Sequence, residues 1–537
     1  MSRVQVPNFF SNNDSVLQFR RGVEEASKFL PSRTNLIIDL DNYTSVPERK
    51  EVAPKVVIKV EKDERDHSPN GSRGRKRDEI DLEDGRSNKQ SAVSVDETEE
   101  TELSEMFDKV LLCSERNKEP HQGTVNEVLQ NGVSSLPQNG QPQGSNGGKS
   151  RAKKQGNNKE TVDLRTLLIL CAQAVSADDR RTATELLKQI RQHSSPSGDG
   201  SQRLAHCFAN GLEARLAGTG TQIYTALASK RTTAADILKA YQVYIQACPF
   251  KKMSIMFANH MILKVADKAK VLHIIDFGIS YGFQWPSLIH CLSVREGGPP
   301  KLRITGIELP QPGFRPAERV EETGRRLAKY CERFNVPFEY NAIAQKWETI
   351  RIEDLKIDSN EVLAVNCLFR FKNLLDETVV VNSPRNAVLN LIRKMNPKIF
   401  VHAVVNGSYN APFFVTRFRE ALFHFSALFD MFDTNVSRED QERLMFEKEF
   451  YGREAMSVIA CEGSERVERP ETYKQWQVRN MRAGFRQLPL DEEIMKKGRE
   501  RLKTMYHKDF VMNEDGCWLL IGWKGRIVYG TSCWVPA

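Results

Sequence analysis

Asp276 and Glu308 are the residues of this chain best placed to do chemistry. Each closes a short apolar run, residues 271–275 and 302–307, and each is followed by residues that turn the backbone. An acid at the end of a buried strand, ahead of a helix N-terminus, is what nucleoside-cofactor folds use to hold a ribose. Gly278 and Gly282 allow a tight turn after Asp276, and Pro286 suits the first turn of the next helix. Residues 272–292 therefore read as strand, acid, glycine turn and helix. The glycine spacing departs from that of dinucleotide or S-adenosylmethionine loops. Ser280 and Tyr281 stand where a small residue is usual, and Phe283 and Trp285 bring aromatic bulk to the mouth. The expectation is a retained scaffold without a cofactor, in which Asp276, Gly278, Gly282 and Glu308 are a vestigial pocket. Asp276 is expected to accept backbone N–H groups of the turn that follows it.

No other group completes an acid–base or nucleophile set. Cys367 follows the run at 362–366, but no His or Asp can be paired with it, and a buried structural thiol is the simpler reading. The ten cysteines are scattered without a CxxC pair, which suits reduced thiols of a cytosolic or nuclear compartment. His193, His206 and His402 sit singly in apolar or loop contexts, so metal ligation is not expected.

These residues need elements to hold them. Strand-like runs at 271–275, 302–307, 338–341, 362–366 and 399–405 alternate with helical patterns at 315–334, 387–395 and 413–432. Such alternation gives a parallel sheet covered on both faces. Residues 456–461, 518–523 and 526–534 read as late strands. The last two are joined by Lys524-Gly525, a tight-turn signal, and Trp518, Trp523, Tyr529 and Trp534 are expected to pack this edge. Ahead of the sheet, apolar stripes at 164–175, 186–190, 203–216, 234–245 and 254–265 predict helices. Residues 164–168 match LxxLL, a spacing that a buried helix also produces. The predicted fold is α/β and Rossmann-like, in its methyltransferase-like variant. It has a mostly parallel sheet with helices on both faces, an antiparallel C-terminal hairpin and an N-terminal helical cap. A disordered tail at 1–160 precedes a folded part at 161–537, with the cap at 161–268 and the α/β core at 269–537.

Leu272-His273-Ile274-Ile275-Asp276 resembles the V-H-I-I-D signature of the GRAS family of plant transcriptional regulators. Pro412-Phe413-Phe414 with Arg417, and Phe450-Tyr451-Gly452-Arg453-Glu454, resemble that family's PFYRE region. The end of the chain resembles its SAW motif, as Ser532-Cys533-Trp534 with cysteine in the alanine position. The resemblance runs from Val162 to the last residue. It implies a regulator rather than an enzyme, with no cofactor, acting through protein–protein contacts. It also implies that the leucine-rich helices associate with a second copy or with other GRAS proteins.

The tail carries the remaining signals. Residues 1–160 hold 25 Lys and Arg against 27 Asp and Glu, leaving 53 against 43 in the rest. The mildly basic folded part permits nucleic-acid contact without requiring it. Residues 16–30 form a helical stripe, and residues 130–154 read as a flexible linker. Arg73, Arg75, Lys76 and Arg77, with Arg151, Lys153 and Lys154, are candidate nuclear-import clusters. Leu103, Met106, Phe107, Val110, Leu111 and Leu112 lie in and after a dense acidic run, the composition of an activation segment. Charges there are expected to keep the apolar groups solvated until a partner groove accepts them. The islands at 19–31 and 104–113 resemble motifs of one GRAS subgroup, which implies TGA-type bZIP factors as partners. No run of eighteen apolar residues exists, so no membrane role is expected. The leading expectation is a nuclear transcriptional co-regulator, probing promoter DNA mainly indirectly. An S-adenosylmethionine-dependent methyltransferase and a direct DNA-binding factor are the alternatives.

Overall fold

The computed structural model describes residues 110–111, 162–229 and 233–537. The stripe at 16–30, the basic clusters at 73–77 and 151–154, and Leu103, Met106, Phe107 and Leu112 lie outside the described residues. No described helix is long and apolar enough to cross a membrane.

Among the described residues from 162 onward, six helices precede the sheet: α1 Leu164–Ser176, α2 Arg180–His193, α3 Gly200–Leu216, α4 Gly220–Ser229, α5 Ala234–Ala247 and α6 Phe250–Val265. Aspartates start the first three. Asp163, Asp179 and Asp199 each accept first-turn backbone N–H groups, and Gln202 completes a capping box with Asp199. On α1, Leu164 and Leu168 are buried and Leu167 half-buried, so the LxxLL spacing belongs to a packed helix.

The sheet has nine strands: β1 Val271–Phe277, β2 Lys301–Glu308, β3 Phe338–Ala344, β4 Val362–Leu368, β5 Ile399–Val405, β6 Phe485–Gln487, β7 Phe510–Asp515, β8 Trp518–Trp523 and β9 Arg526–Pro536. Their order is β3-β2-β1-β4-β5-β9-β8-β7, with β6 paired to β9. Strands β1 to β5 run parallel, whereas β9, β8 and β7 are antiparallel. Side-chain alternation puts Leu272 and Ile274 in one apolar cluster and Ile275 and Phe277 in another, on the opposite face. The hairpin turn between β8 and β9 has Lys524 and Gly525 both at positive φ, as a two-residue turn of this twist requires. Trp518, Trp523, Tyr529 and Trp534 are buried at this edge as the sequence predicts.

Between these strands lie α7 Trp285–Ser293, α8 Glu318–Arg333, α9 Pro384–Met395, α10 Phe414–Asn435, α11 Gln441–Phe446, α12 Arg453–Ala460, α13 Tyr473–Arg482 and α14 Glu492–Met505. The strand expected at 456–461 is instead the body of helix α12. A single π-helical turn, Glu447–Gly452, carries α11 directly into α12, so the chain is already coiled when it reaches Met456. Ala455, Met456, Val458 and Ile459 are all buried, which gives an apolar run without readable period. Helices α10 and α12 pack on α3, where Phe208 meets Phe418 and Phe425 edge-on at 5.5 and 5.7 Å. A Cβ at Gly211 would stand 2.9 Å from Ile459, so this glycine sets the closeness of α3 and α12.

Candidate functional site: a cofactor cleft filled by the chain itself

Strand order reverses between β1 and β4, and the carboxyl ends of these strands are where an open α/β sheet binds its ligand. Asp276 and Asn366 are register partners there, with Gly306 on the other side of Asp276. The expected pocket residues Asp276, Gly278, Gly282 and Glu308 do come together at this end. Each is already engaged by the protein.

Asp276 is buried. Its Oδ2 accepts from Trp285 Nε1 at 2.9 Å and its Oδ1 from Asn366 Nδ2 at 2.9 Å. The backbone amides of the following turn go elsewhere, contrary to the sequence expectation. Gly278 and Ile279 donate to the Ile307 carbonyl at 2.8 and 3.2 Å, and Ser280 donates to Glu308 Oε2 at 3.1 Å. It is Glu308, not Asp276, that fastens the loop. Its Oε1 also accepts from Leu309 N at 3.1 Å and from the Arg370 guanidinium at 2.8 Å, with Arg319 at 3.7 Å.

The two acids are electrostatically unlike. Burial pushes Asp276 up to about 7, against hydrogen bonds from Asn366 and Trp285, and the nearby Glu308 adds to the rise. Burial also acts to raise Glu308, but Arg370 and Arg319 outweigh it and hold this carboxyl below its usual value. Such divergence marks acid–base pairs in enzymes. Here every oxygen of both groups already has a protein donor, and both side chains are buried.

The residues present do not fit S-adenosylmethionine. A Cβ at Gly278 (φ +92°) would overlap Arg370 Cγ, so Arg370 fills the space the glycine leaves. Gly282 (φ +68°) has Thr323 at 2.9 Å from its Cβ position, and Thr323 Oγ1 donates to the Ser280 carbonyl at 2.7 Å. Trp285 is fully buried, and Phe283 stacks on Tyr281 with ring centroids 5.5 Å apart. From Asp276 a buried amide relay runs outward. Asn366 pairs with Gln284, whose Nε2 reaches Asn259 Oδ1 on α6 at 3.1 Å. Sequence reading missed Asn366, Gln284, Asn259 and Arg370. An amide inside the apolar strand β4, and an arginine just past its end, were the available signals.

Cys367 is buried in the core, and burial drives its thiol far above the usual range, which removes it as a nucleophile. His402 is buried against Phe371, Phe400 and Trp476, and burial pulls it down to about 3, so it is a neutral core side chain. His193 is exposed, and His206 lies against Arg191.

The motif residues are structural ties. His273 is buried on β1, with Nδ1 at 2.5 Å from Glu361 and Nε2 at 2.8 Å from Thr305. Arg417 donates to the carbonyls of Val458 (2.9 Å), Ala411 (3.1 Å) and Pro412 (3.1 Å) and pairs with Glu462. Phe450 stacks on Phe446 at 4.5 Å, and Tyr451 meets the same ring edge-on at 5.2 Å. Arg453 opens α12, and Glu454 pairs with Lys372. Ser532 Oγ accepts from Trp534 Nε1 at 2.7 Å.

Residues 164–535 match the GRAS domain family over its signature strand, the arginine ties and the terminal hairpin alike. The chain belongs to the GRAS domain family. It is 60% identical to Scarecrow-like protein 14 of Arabidopsis thaliana over 554 residues, covering 99% of this chain and 71% of that protein. To Scarecrow-like protein 33 of the same plant it is 58% identical over 534 residues, covering 99% and 73%. The crystal structure of SCL7 in Oryza sativa superposes with a TM-score of 0.59 at 28% identity, covering 70% of this chain and all of that one. The GRAS family is one of plant transcriptional regulators, and the fold is the methyltransferase-like one expected from the sequence.

One prediction follows from the GRAS signature acid. The unfolded pKa of an Asp is about 3.9, and that of buried Asp276 is about 7. The native state therefore binds the extra proton between these values. Its stability contribution is full below about pH 4 and is lost as pH rises through about 7. Raising the pH from 5 to 8 should weaken the fold through this group by up to roughly 2.5 kcal/mol, the part of the shift that lies above pH 5. Urea midpoints across this range should fall in the wild type and change less in Asp276→Asn. Parallel slopes for the two would refute the assignment.

Proposed function

We propose that this chain is a nuclear transcriptional co-regulator of the coactivating kind. It reaches promoters through sequence-specific DNA-binding factors, of which TGA-type bZIP proteins are the first candidates. The single observation that carries this reading is the state of the cleft. A GRAS domain whose Asp276, Glu308 and Gly278 are occupied by Trp285, Asn366 and Arg370 offers surfaces, not a catalytic pocket. The basic clusters at 73–77 and 151–154 would serve import into the nucleus. The helices at 164–265 would serve association with a second copy or another GRAS protein. The acidic island would recruit the transcription machinery, its apolar side chains supplying contact area and its charges steering the encounter.

The test is a reporter driven by residues 90–115 fused to a heterologous DNA-binding domain. Expression should rise well above the unfused control. Alanine at Met106, Phe107, Leu111 and Leu112 together should return it to background. An unchanged signal in that variant would reject the activation role. Affinity capture from plant nuclear extract, with the full chain as bait, should recover bZIP factors; their absence would reject the partner assignment.

A further inference from the structure

Residues 110 and 111 are helical and lie on the domain. Leu111 is only 7% exposed and belongs to the main apolar cluster, with Val110 packed beside it. The sequence expectation had these groups in solvent. With α5, α6 and α14 they line a groove that leaves about 520 Å³ open beside them. Tyr241 and Ile245, Met256 and Leu263, and Ile494 supply its apolar lining, and Lys252, His260, Lys497 and Arg501 bring basic groups.

We propose that this groove is the docking site of the chain's own acidic segment, residues 103–113, anchored by Val110 and Leu111. Four observations converge. Leu111 is buried there although the next described helix begins at Leu164. Leu103, Phe107, Val110 and Leu111 fall at i, i+4, i+7 and i+8, one face of a helix, which is the spacing of helix-in-groove recognition. Seven acids and no base lie from Asp96 to Asp108, and the groove lining carries Lys252, His260, Lys497 and Arg501 beside one acid, Glu500, with Lys497 paired to Glu493 and His260 to Asp491 just outside it. The 52 residues between Leu111 and Leu164 form an ample tether. A flexible chain of that length spans roughly 40 Å and holds its end at an effective concentration on the order of millimolar.

The consequence rests on the activation reading above. The apolar face that would recruit a partner is the face that is stowed, so docking and recruitment exclude each other. A partner must bind the segment tightly enough to displace it, or bind the groove and release it.

The full chain tests this. A fluorescent peptide of residues 96–115 is titrated into the wild type and into Val110→Asp/Leu111→Asp, whose tethered segment cannot seat. The variant should take the peptide at least tenfold more tightly, because the tethered copy no longer competes. Adding Lys497→Glu and Arg501→Glu to that variant should weaken the peptide at least tenfold. Hydrogen exchange should show residues 103–113 protected in the wild type and fast in the double variant. Equal peptide affinity for wild type and variant, or no binding to either, overturns the proposal. So does affinity indifferent to the charge reversals, or fast exchange at 103–113 in the wild type. The activation reading fails separately: a bound peptide with a silent 90–115 reporter rejects activation and leaves docking standing.

Discussion

Glu447→Ala should destabilise the folded domain by about 3–5 kcal/mol, the cost of leaving a buried charge without its partner. Glu447 sits between two arginines that are each almost fully buried. Arg203 Nε lies 3.1 Å from both carboxylate oxygens, and Arg443 Nη1 lies 2.5 Å from one of them. Arg203 reaches from α3 in the helical layer, whereas Glu447 and Arg443 lie on the α11 turn more than two hundred residues later. Truncating the acid leaves two guanidiniums facing each other, with Asp433 at 2.9 Å from Arg203 as the remaining counter-charge. The loss should appear as a lower urea midpoint with an unchanged slope. Replacing all three by apolar residues, Arg203→Met, Glu447→Leu and Arg443→Leu, should recover most of it, because desolvation offsets much of what a buried ion pair contributes. A loss below about 1 kcal/mol in Glu447→Ala would mean that water reaches the triad.

The triad also shows where sequence reading stops. Strands β1, β2, β4 and β5 were legible as short, largely apolar runs bounded by polar or glycine residues, and β3 through the alternation of Phe338, Glu339, Tyr340 and Asn341. The closing hairpin was legible through Lys524-Gly525. Helix α12 was not, because a stretch buried at every position from Ala455 to Ile459 shows neither period. Strand β6 is three residues long, and β7 turns Asn513, Glu514 and Asp515 outward, so neither carries an apolar pattern. At the cleft, the sequence placed Asp276, Gly278, Gly282 and Glu308 correctly at one sheet end. It could not show what fills that end, since Arg370 and Asn366 arrive from a strand about ninety residues further along. Ion partners across such separations leave no periodic trace, and in this fold they tie the motifs together. The burial of Leu111 was hidden for a related reason: an acidic segment looks the same in sequence whether its groove belongs to a partner or to its own chain.

Lys372→Met should cost a similar amount, about 3–5 kcal/mol near pH 8, and its pH dependence should identify the cause. Lys372 follows β4 in a short turn and is almost fully buried. Its Nζ lies 2.5 Å from Glu454 and 2.8 Å from Glu468, and its carbonyl accepts from Arg469 N at 2.8 Å. It thus joins the sheet end beside the cleft to α12 and to the loop after it. Without the ammonium, buried Glu468 and half-buried Glu454 are left facing each other. Burial already raises Glu454, Lys372 opposes that rise, and Glu468 reinforces it. Removing Lys372 must therefore raise it further. A carboxyl whose folded pKa is raised lends stability at low pH and loses it as pH increases through that pKa. The variant should accordingly regain stability on acidification from pH 8 to 5, relative to the wild type at the same pH, as the pair takes up a proton. Adding Glu454→Gln and Glu468→Gln should remove this relative gain and raise the variant's midpoint at pH 8. A deficit that stayed constant with pH would assign the loss to the packing of the lysine stem, and the carboxylate pair would then not be what Lys372 holds in place.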